Sequence, residues 1–159
     1  HKVAHLISGQ HFGVLIEKKR TNESARANFS NFKYNHSLII SKFKIEIQSF
    51  EGKLLKILST HNDIAIYGAG GHAISIISRL NLSTDQVKFL LDLSPHKIGK
   101  KSPTGSIPII KPSRSRLESI NCIIIFASLH QKEICSFLQH ELGYNESLYG
   151  TFPSIKKLQ

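Results

Sequence analysis

The sequence predicts an α/β fold: a Rossmann-like, mostly parallel sheet with helices on both faces, preceded by a strand and a long helix. Three observations predict it. Short apolar runs at residues 64–67, 87–92 and 121–127 alternate with helical patterns, the signature of parallel strands joined by crossover helices. The first run ends in the glycine turn Gly68-Ala69-Gly70-Gly71 and leads into an apolar helix. Ahead of it runs a stripe at steps of three or four: Phe32, His36, Ile39, Phe43, Ile47, Phe50, Leu54 and Ile57. That spacing puts one face of a long helix against a core.

Taken in order, residues 11–19 read as a strand, with Phe12, Val14 and Ile16 on one face. Residues 20–28 are polar and loop-like. The long helix closes near Ser59–Asp63, and 64–67 is a buried parallel strand. A helix from about His72 to Leu80 and a strand over 87–92 follow. Residues 93–106 form a polar Pro/Gly/Lys loop. Residues 107–110 are a short strand weakened by Pro108, and Pro112 to Ser119 a short helix with Pro in its first turn. Residues 121–127 make a buried strand, 130–142 an amphipathic helix, and 147–150 a last strand. Residues 1–60 are expected as an appendage and 61–159 as the Rossmann-like core.

Composition narrows the function classes. The chain has 159 residues, 40% of them hydrophobic, with 21 Lys and Arg against 11 Asp and Glu, a formal charge of +10. An excess of this size favours anionic partners. The cations are scattered, and neither an aromatic RNA-binding motif nor a helix-turn-helix pattern accompanies them, so nucleic acid is not expected as a partner. No run approaches the ~20 apolar residues of a membrane span. Cys122 and Cys135 sit in apolar patterns and are expected as small buried hydrophobes rather than a disulfide, which suits a reducing cytoplasm. No Cys/His spacing suggests a metal site. The chain contains no Met and begins at His1, so it is expected to be a C-terminal piece of a longer protein.

The glycine turn carries the chemistry. Gly68-x-Gly70-x-x-Ala73 fits G-x-G-x-x-G/A in its proper context, after a strand and before a helix. The first glycine permits the tight turn, and the second lets a ligand approach the backbone. A small residue at 73 lets helix pack on strand. The helix start then offers N–H groups and partial positive charge to a phosphate. Asp92 ends the next strand, 24 positions after Gly68, where a dinucleotide site places the acid that accepts ribose hydroxyls. Tyr67, Gly71 and His72 flank the turn. His72 and, after the late strand, His130 have side chains suited to acid–base chemistry.

Beyond Asp92 the run Asp92-Leu93-Ser94-Pro95-His96-Lys97-Ile98-Gly99 to Ile109 leaves the carboxyl end of a strand, where open α/β sheets bind ligands. Lys97, Lys100 and Lys101 are expected to bring charge to that edge, and Ser102, Thr104 and Ser106 hydroxyls, with Gly105 beside them. Here the chain resembles the C-terminal domain of the sugar C-methyltransferases, which use S-adenosylmethionine to methylate nucleotide-linked deoxysugars. Tyr67-Gly68-Ala69 matches that family's turn. Asp92, Pro95, Lys97, Gly99, Pro103, Ile107, Pro108 and Ile109 match its later pattern without a gap, as does Glu133-Ile134 after the late strand. Four places depart: His72 stands where the family has lysine, Pro103-Thr104-Gly105 reorders proline–glycine–threonine, Ser106 replaces a histidine, and Ser128-Leu129 replaces tryptophan–asparagine.

The resemblance implies a nucleotide-sugar partner and ligand contacts from Tyr67, Gly68, Gly70, Gly71, His72, Asp92, Lys97, Thr104 and Gly105. It implies no cofactor in this domain, with S-adenosylmethionine held by an upstream methyl-donor domain. The turn through Ala73 also resembles the opening of the nucleotide-sugar acyltransferases, whose hexapeptide repeats do not appear here. Two alternatives to the methyltransferase reading remain open: a non-catalytic or acyltransferase-associated sugar-nucleotide module, and an NAD(P)-dependent oxidoreductase domain.

Overall fold

The computed structural model describes residues 2–6, 11–15 and 36–158. Two compact units are present, His1–His36 and Ser37–Gln159. The first holds an antiparallel pair, β1 (Lys2–Leu6) and β2 (His11–Leu15), with Val3 opposite Val14 and His5 opposite Phe12. The strand expected over 11–19 is present through Leu15. Its remainder, the loop at 20–28 and Phe32 lie outside the described residues. β1 has no counterpart in the sequence prediction, because Lys2–Leu6 shows no clean alternation of apolar and polar residues.

The second unit runs α1 (His36–Thr60), β3 (Ile64–Tyr67), α2 (Gly71–Arg79), β4 (Phe89–Leu91), β5 (Ile109–Ile110), α3 (Arg114–Leu117), β6 (Cys122–Ile125), α4 (Gln131–Ser136), β7 (Ser147–Gly150) and β8 (Lys156–Lys157). Its sheet has the order β5-β4-β3-β6-β7-β8. All neighbours are parallel except β7 and β8. The chain steps outward from β3 to β4 and β5, then returns through α3 to β6 on the other side of β3. Strand order therefore reverses between β3 and β6, and the crevice outside the strand ends at such a point is where open α/β sheets bind ligands.

Each face of the sheet carries its own core. Ile64, Ile66, Leu90 and Ile124 pack with Leu54 and Ile57 of α1 and with Ala73, Ile76 and Ile77 of α2. Ala65, Tyr67, Leu91, Ile123 and Ile125 pack on the opposite face with Leu117 of α3 and with Ile134 and Leu138. The two-residue alternation of strand side chains sorts one sequence into two cores. Burying an Ile or Leu side chain fully contributes about 1.5–3 kcal/mol, so the central strands hold the unit together. Cys122 lies fully buried in β6, where burial pushes its thiol up to about 12. Cys135 is half-buried, and both thiols are free.

Three expectations need correction. Among the described residues the stripe of α1 packs toward its end: Leu54 and Ile57 are buried, whereas Phe43 is 61% exposed. The sheet supports only the final turns of a 25-residue helix. Residues 93–106 do not form an open loop. From Gly99 the chain folds back antiparallel to 107–110, through Gly99 N–H to Ile109 O, Ile109 N–H to Lys100 O and Ser102 N–H to Ile107 O. Helix 130–142 is broken into a 3₁₀ turn at Ser128–His130, α4, and a π-helical turn at Phe137–Glu141. β8 was legible only as a polar tail, since it gains strand geometry by pairing with β7. Among the described residues no helix is long and apolar enough to cross a membrane, and no cluster of His, Cys, Asp or Glu could hold a metal ion.

Candidate functional site at the carboxyl edge of the sheet

β3, β4 and β6 end level with one another, Tyr67 opposite both Leu91 and Ile125. The glycine turn leaves β3 in the middle. Gly68 has φ of +103°, and a Cβ there would lie 3.1 Å from the amide nitrogen of Ala127 and 3.3 Å from its Cβ. The first glycine of the motif is thus required by the chain returning from β6. Gly70 and Gly71 differ: no atom lies within 4 Å of where a Cβ would stand. Packing within the unit does not require them to be glycine.

The first intrahelical bond of α2 runs from Ile74 N–H to Gly70 O, 3.0 Å, so the N–H groups of Gly71, His72 and Ala73 precede the helical ladder. No side chain caps this end, and its first turn carries no acidic residue. Ala73 is buried, as the fingerprint's third position demands.

Asp92 is bound into the turn. Its Oδ2 accepts the Ala69 N–H at 2.9 Å and the Lys97 ammonium at 3.0 Å, and its Oδ1 accepts the Ser94 N–H at 2.8 Å. Beside these, Gly68 N–H donates to Leu91 O at 2.7 Å. Burial raises the Asp92 carboxyl, but the hydrogen bonds from Ser94, Lys97 and Ala69 outweigh it and hold the group below its ordinary value. A group depressed in the folded state stabilises the fold above its unfolded value and loses that contribution as pH falls through the folded one. Asp92→Ala, which strands two N–H groups and Lys97, is expected to cost about 2 kcal/mol at neutral pH. It should also flatten the fall in melting temperature below about pH 4, as measured by thermal melts from pH 7 to pH 2.

His72 is exposed but rests against two rings, Phe126 with centroids 5.1 Å apart and Phe50 at 6.0 Å. Burial of its inner side lowers the imidazole below its ordinary value. Tyr67 is 4% exposed, its ring in the opposite core; burial, then Asp92, raises its phenol. What Tyr67 offers the edge is backbone, its carbonyl accepting the Phe126 N–H at 2.8 Å.

The structure therefore brings Gly68, Gly70, Gly71, His72, Asp92 and Lys97 to one edge. His130 stands at the carboxyl end of β6 on the same edge, exposed. Thr104 and Gly105 are placed elsewhere. They form the tip of the hairpin at the opposite end of the strands, against Leu82 beyond the C-terminus of α2. Ser102 is buried there, its hydroxyl donating to the Thr104 carbonyl and accepting the Ile107 N–H. Lys100 and Lys101 lie on the hairpin's descending arm. Phe126 and Ala127 were not singled out in the sequence, and Phe50 only as a core residue of the helix stripe. The apolar run at 121–127 marks the first two as the end of a strand, but only the strand order brings that end beside Gly68.

Among curated proteins none matches the chain. The crystal structure of the UDP-D-quinovosamine 4-dehydrogenase from Vibrio fischeri is similar over 62% of this chain and 94% of that one, with 16% identity and a TM-score of 0.45. The family model for the C-methyltransferase C-terminal domain matches residues 8–148, a span that takes in the glycine turn, Asp92, Lys97, the parallel strands β3 to β6 and the start of β7. By that match the chain belongs to the C-methyltransferase C-terminal domain family.

Proposed function

We propose that this chain is the nucleotide-sugar-binding part of an S-adenosylmethionine-dependent sugar C-methyltransferase, and that the diphosphate of the substrate lies on the backbone of Gly70, Gly71 and His72. The observation that carries the reading is the uncapped start of α2 at the reversal of strand order, with Gly70 and Gly71 open where a Cβ would stand. Helix N-termini with free N–H groups and no opposing acid favour phosphate. The excess of cations favours the same kind of ligand.

Asp92 argues for a sugar nucleotide over an adenine dinucleotide. Its carboxylate is engaged by Ala69, Ser94 and Lys97, which does not fit the ribose-binding acid of a dinucleotide site. The same engagement does not fit an adenosyl ribose of the methyl donor. As the family resemblance implies, the donor belongs to an upstream domain of a cytoplasmic protein, and this chain's residues hold and orient the acceptor.

Thermal melts test this. A uridine- or thymidine-diphosphate sugar at a hundredfold excess over its Kd should stabilise the chain by about 2.7 kcal/mol. Gly70→Ala should leave the unliganded melting temperature within the ~0.5–1 kcal/mol cost of an N-cap change and remove the ligand-induced shift. A shift given by NAD and not by pyrimidine nucleotide sugars would overturn the reading.

A further inference from the structure

A groove of about 640 Å³ opens beside the glycine turn, between α1, the start of α2 and the segment after β7. It is mostly apolar. Phe43, Ile47 and Phe50 line it from α1, Ile76 from α2, and Ile155 from beyond β7. Phe43 and Ile45, at 61% and 64% exposure, leave large apolar surfaces in water. The charged groups on its wall are Glu46, Lys53 and, when protonated, His72.

His72 connects this groove to the turn. It is the second residue of α2, directly after Gly71, and it also lines the groove. A phosphate on the α2 amides thus lies one residue from the groove mouth. The rings of Phe50 and Phe126 hold the imidazole in place, and Phe50 itself lines the wall. On the other side of the turn stands Asp92 with its three donors. A ligand with its phosphates at the turn has an open, ring-lined space beside it.

We infer that this groove takes the base of the nucleotide whose diphosphate occupies the turn, a flat heteroaromatic ring stacked against His72 and Phe50 and covered by Phe43. The inference rests on the functional reading above and adds to it which end of the ligand lies where. Volume and character fit: ligand sites are largely apolar clefts of ~300–1,000 Å³ with few polar groups. A hydroxyl-rich sugar would leave its polar groups unmatched against Phe43, Ile47 and Ile155, whereas a base offers two apolar faces.

The test uses the full chain with uridine diphosphate and inorganic pyrophosphate. The chain contains no tryptophan, so Phe43→Trp installs a single indole in the groove. Its emission is expected to fall on adding uridine diphosphate and to stay constant with pyrophosphate. His72→Ala and Phe43→Ser should each weaken uridine diphosphate about tenfold by calorimetry, and Phe43→Ser should leave pyrophosphate affinity unchanged. Phe43→Ser alters an exposed side chain, so its melting temperature serves as the folding control. Uridine diphosphate that binds the parent chain and is lost in Gly70→Ala, yet leaves the indole silent and both groove variants at parental affinity, overturns the inference and spares the functional reading. A parent chain that binds neither ligand overturns both.

Discussion

A Gly105→Ala chain is expected to melt far below its parent. Gly105 has φ of +72° and Ser106 φ of +51°, two consecutive left-handed residues of the kind that let a tight hairpin follow the strand twist. A Cβ on Gly105 would stand 2.0 Å from the backbone carbonyl oxygen of Leu82. Leu82 is itself buried, its N–H bonded to Ile77 O at 2.9 Å. Neither partner is a flexible side-chain end, so the hairpin tip must move. Backbone strain of ~1–3 kcal/mol and overpacking of ~1–3 kcal/mol together suggest a cost of about 4 kcal/mol. At roughly 4 °C per kcal/mol for a unit of this size, the melting temperature should fall by roughly 15 °C. Gly99→Ala separates the two contributions. Its φ is +82°, but nothing lies within 4 Å of the new Cβ, so it should show only the strain, about 1–3 kcal/mol. Equal losses for the two variants would show that the contact with Leu82 is not tight.

Gly68→Ala should cost about 2–3 kcal/mol, and the effect is expected to depend on residue 127. Two contacts limit the site, one to the Ala127 amide nitrogen at 3.1 Å and one to its Cβ at 3.3 Å. Ala127→Gly removes the second and leaves the first. In a double-mutant cycle, Gly68→Ala should therefore be milder in the Ala127→Gly background by about 0.5–1 kcal/mol without becoming neutral, since φ of +103° remains. Denaturant titration of the four chains measures it. Additive losses would mean that β6 and the turn do not press on each other.

These two glycines show what was legible and what was not. The turn at Gly68 was readable because its context is local: an apolar run before, an apolar helix after, and a small residue at 73. Its contact with Ala127 was not readable, since it depends on β6 lying beside β3, 58 residues apart by the register Ile64 to Cys122 and onward. Thr104 and Gly105 were read as ligand residues because the chain leaves β4 at the ligand edge. The reading did not anticipate that residues 99–102 would run back along β5, carrying those two to the far end. Asp92 was placed correctly at the end of its strand, but its partners could not be read from sequence. Lys97 lies five residues on and Ala69 lies 23 residues back. Phe43 was read as core because a helix pattern gives the buried stripe without giving the length of the sheet beneath it.

The way Asp92 and Leu91 hold the turn has a consequence for how a ligand would bind. Two successive amides of the turn, Gly68 N–H and Ala69 N–H, are bonded to the end of β4, one to the Leu91 carbonyl and one to the Asp92 carboxylate. The turn is thereby anchored to the sheet before any ligand arrives. Its conformational entropy is lost at folding and not on association, which leaves more of each contact's energy as affinity. Such a preorganised turn needs no closing step to receive a phosphate. Its capture rate should then be set by diffusion and by the field of the +10 chain, and its selectivity by how long each ligand stays.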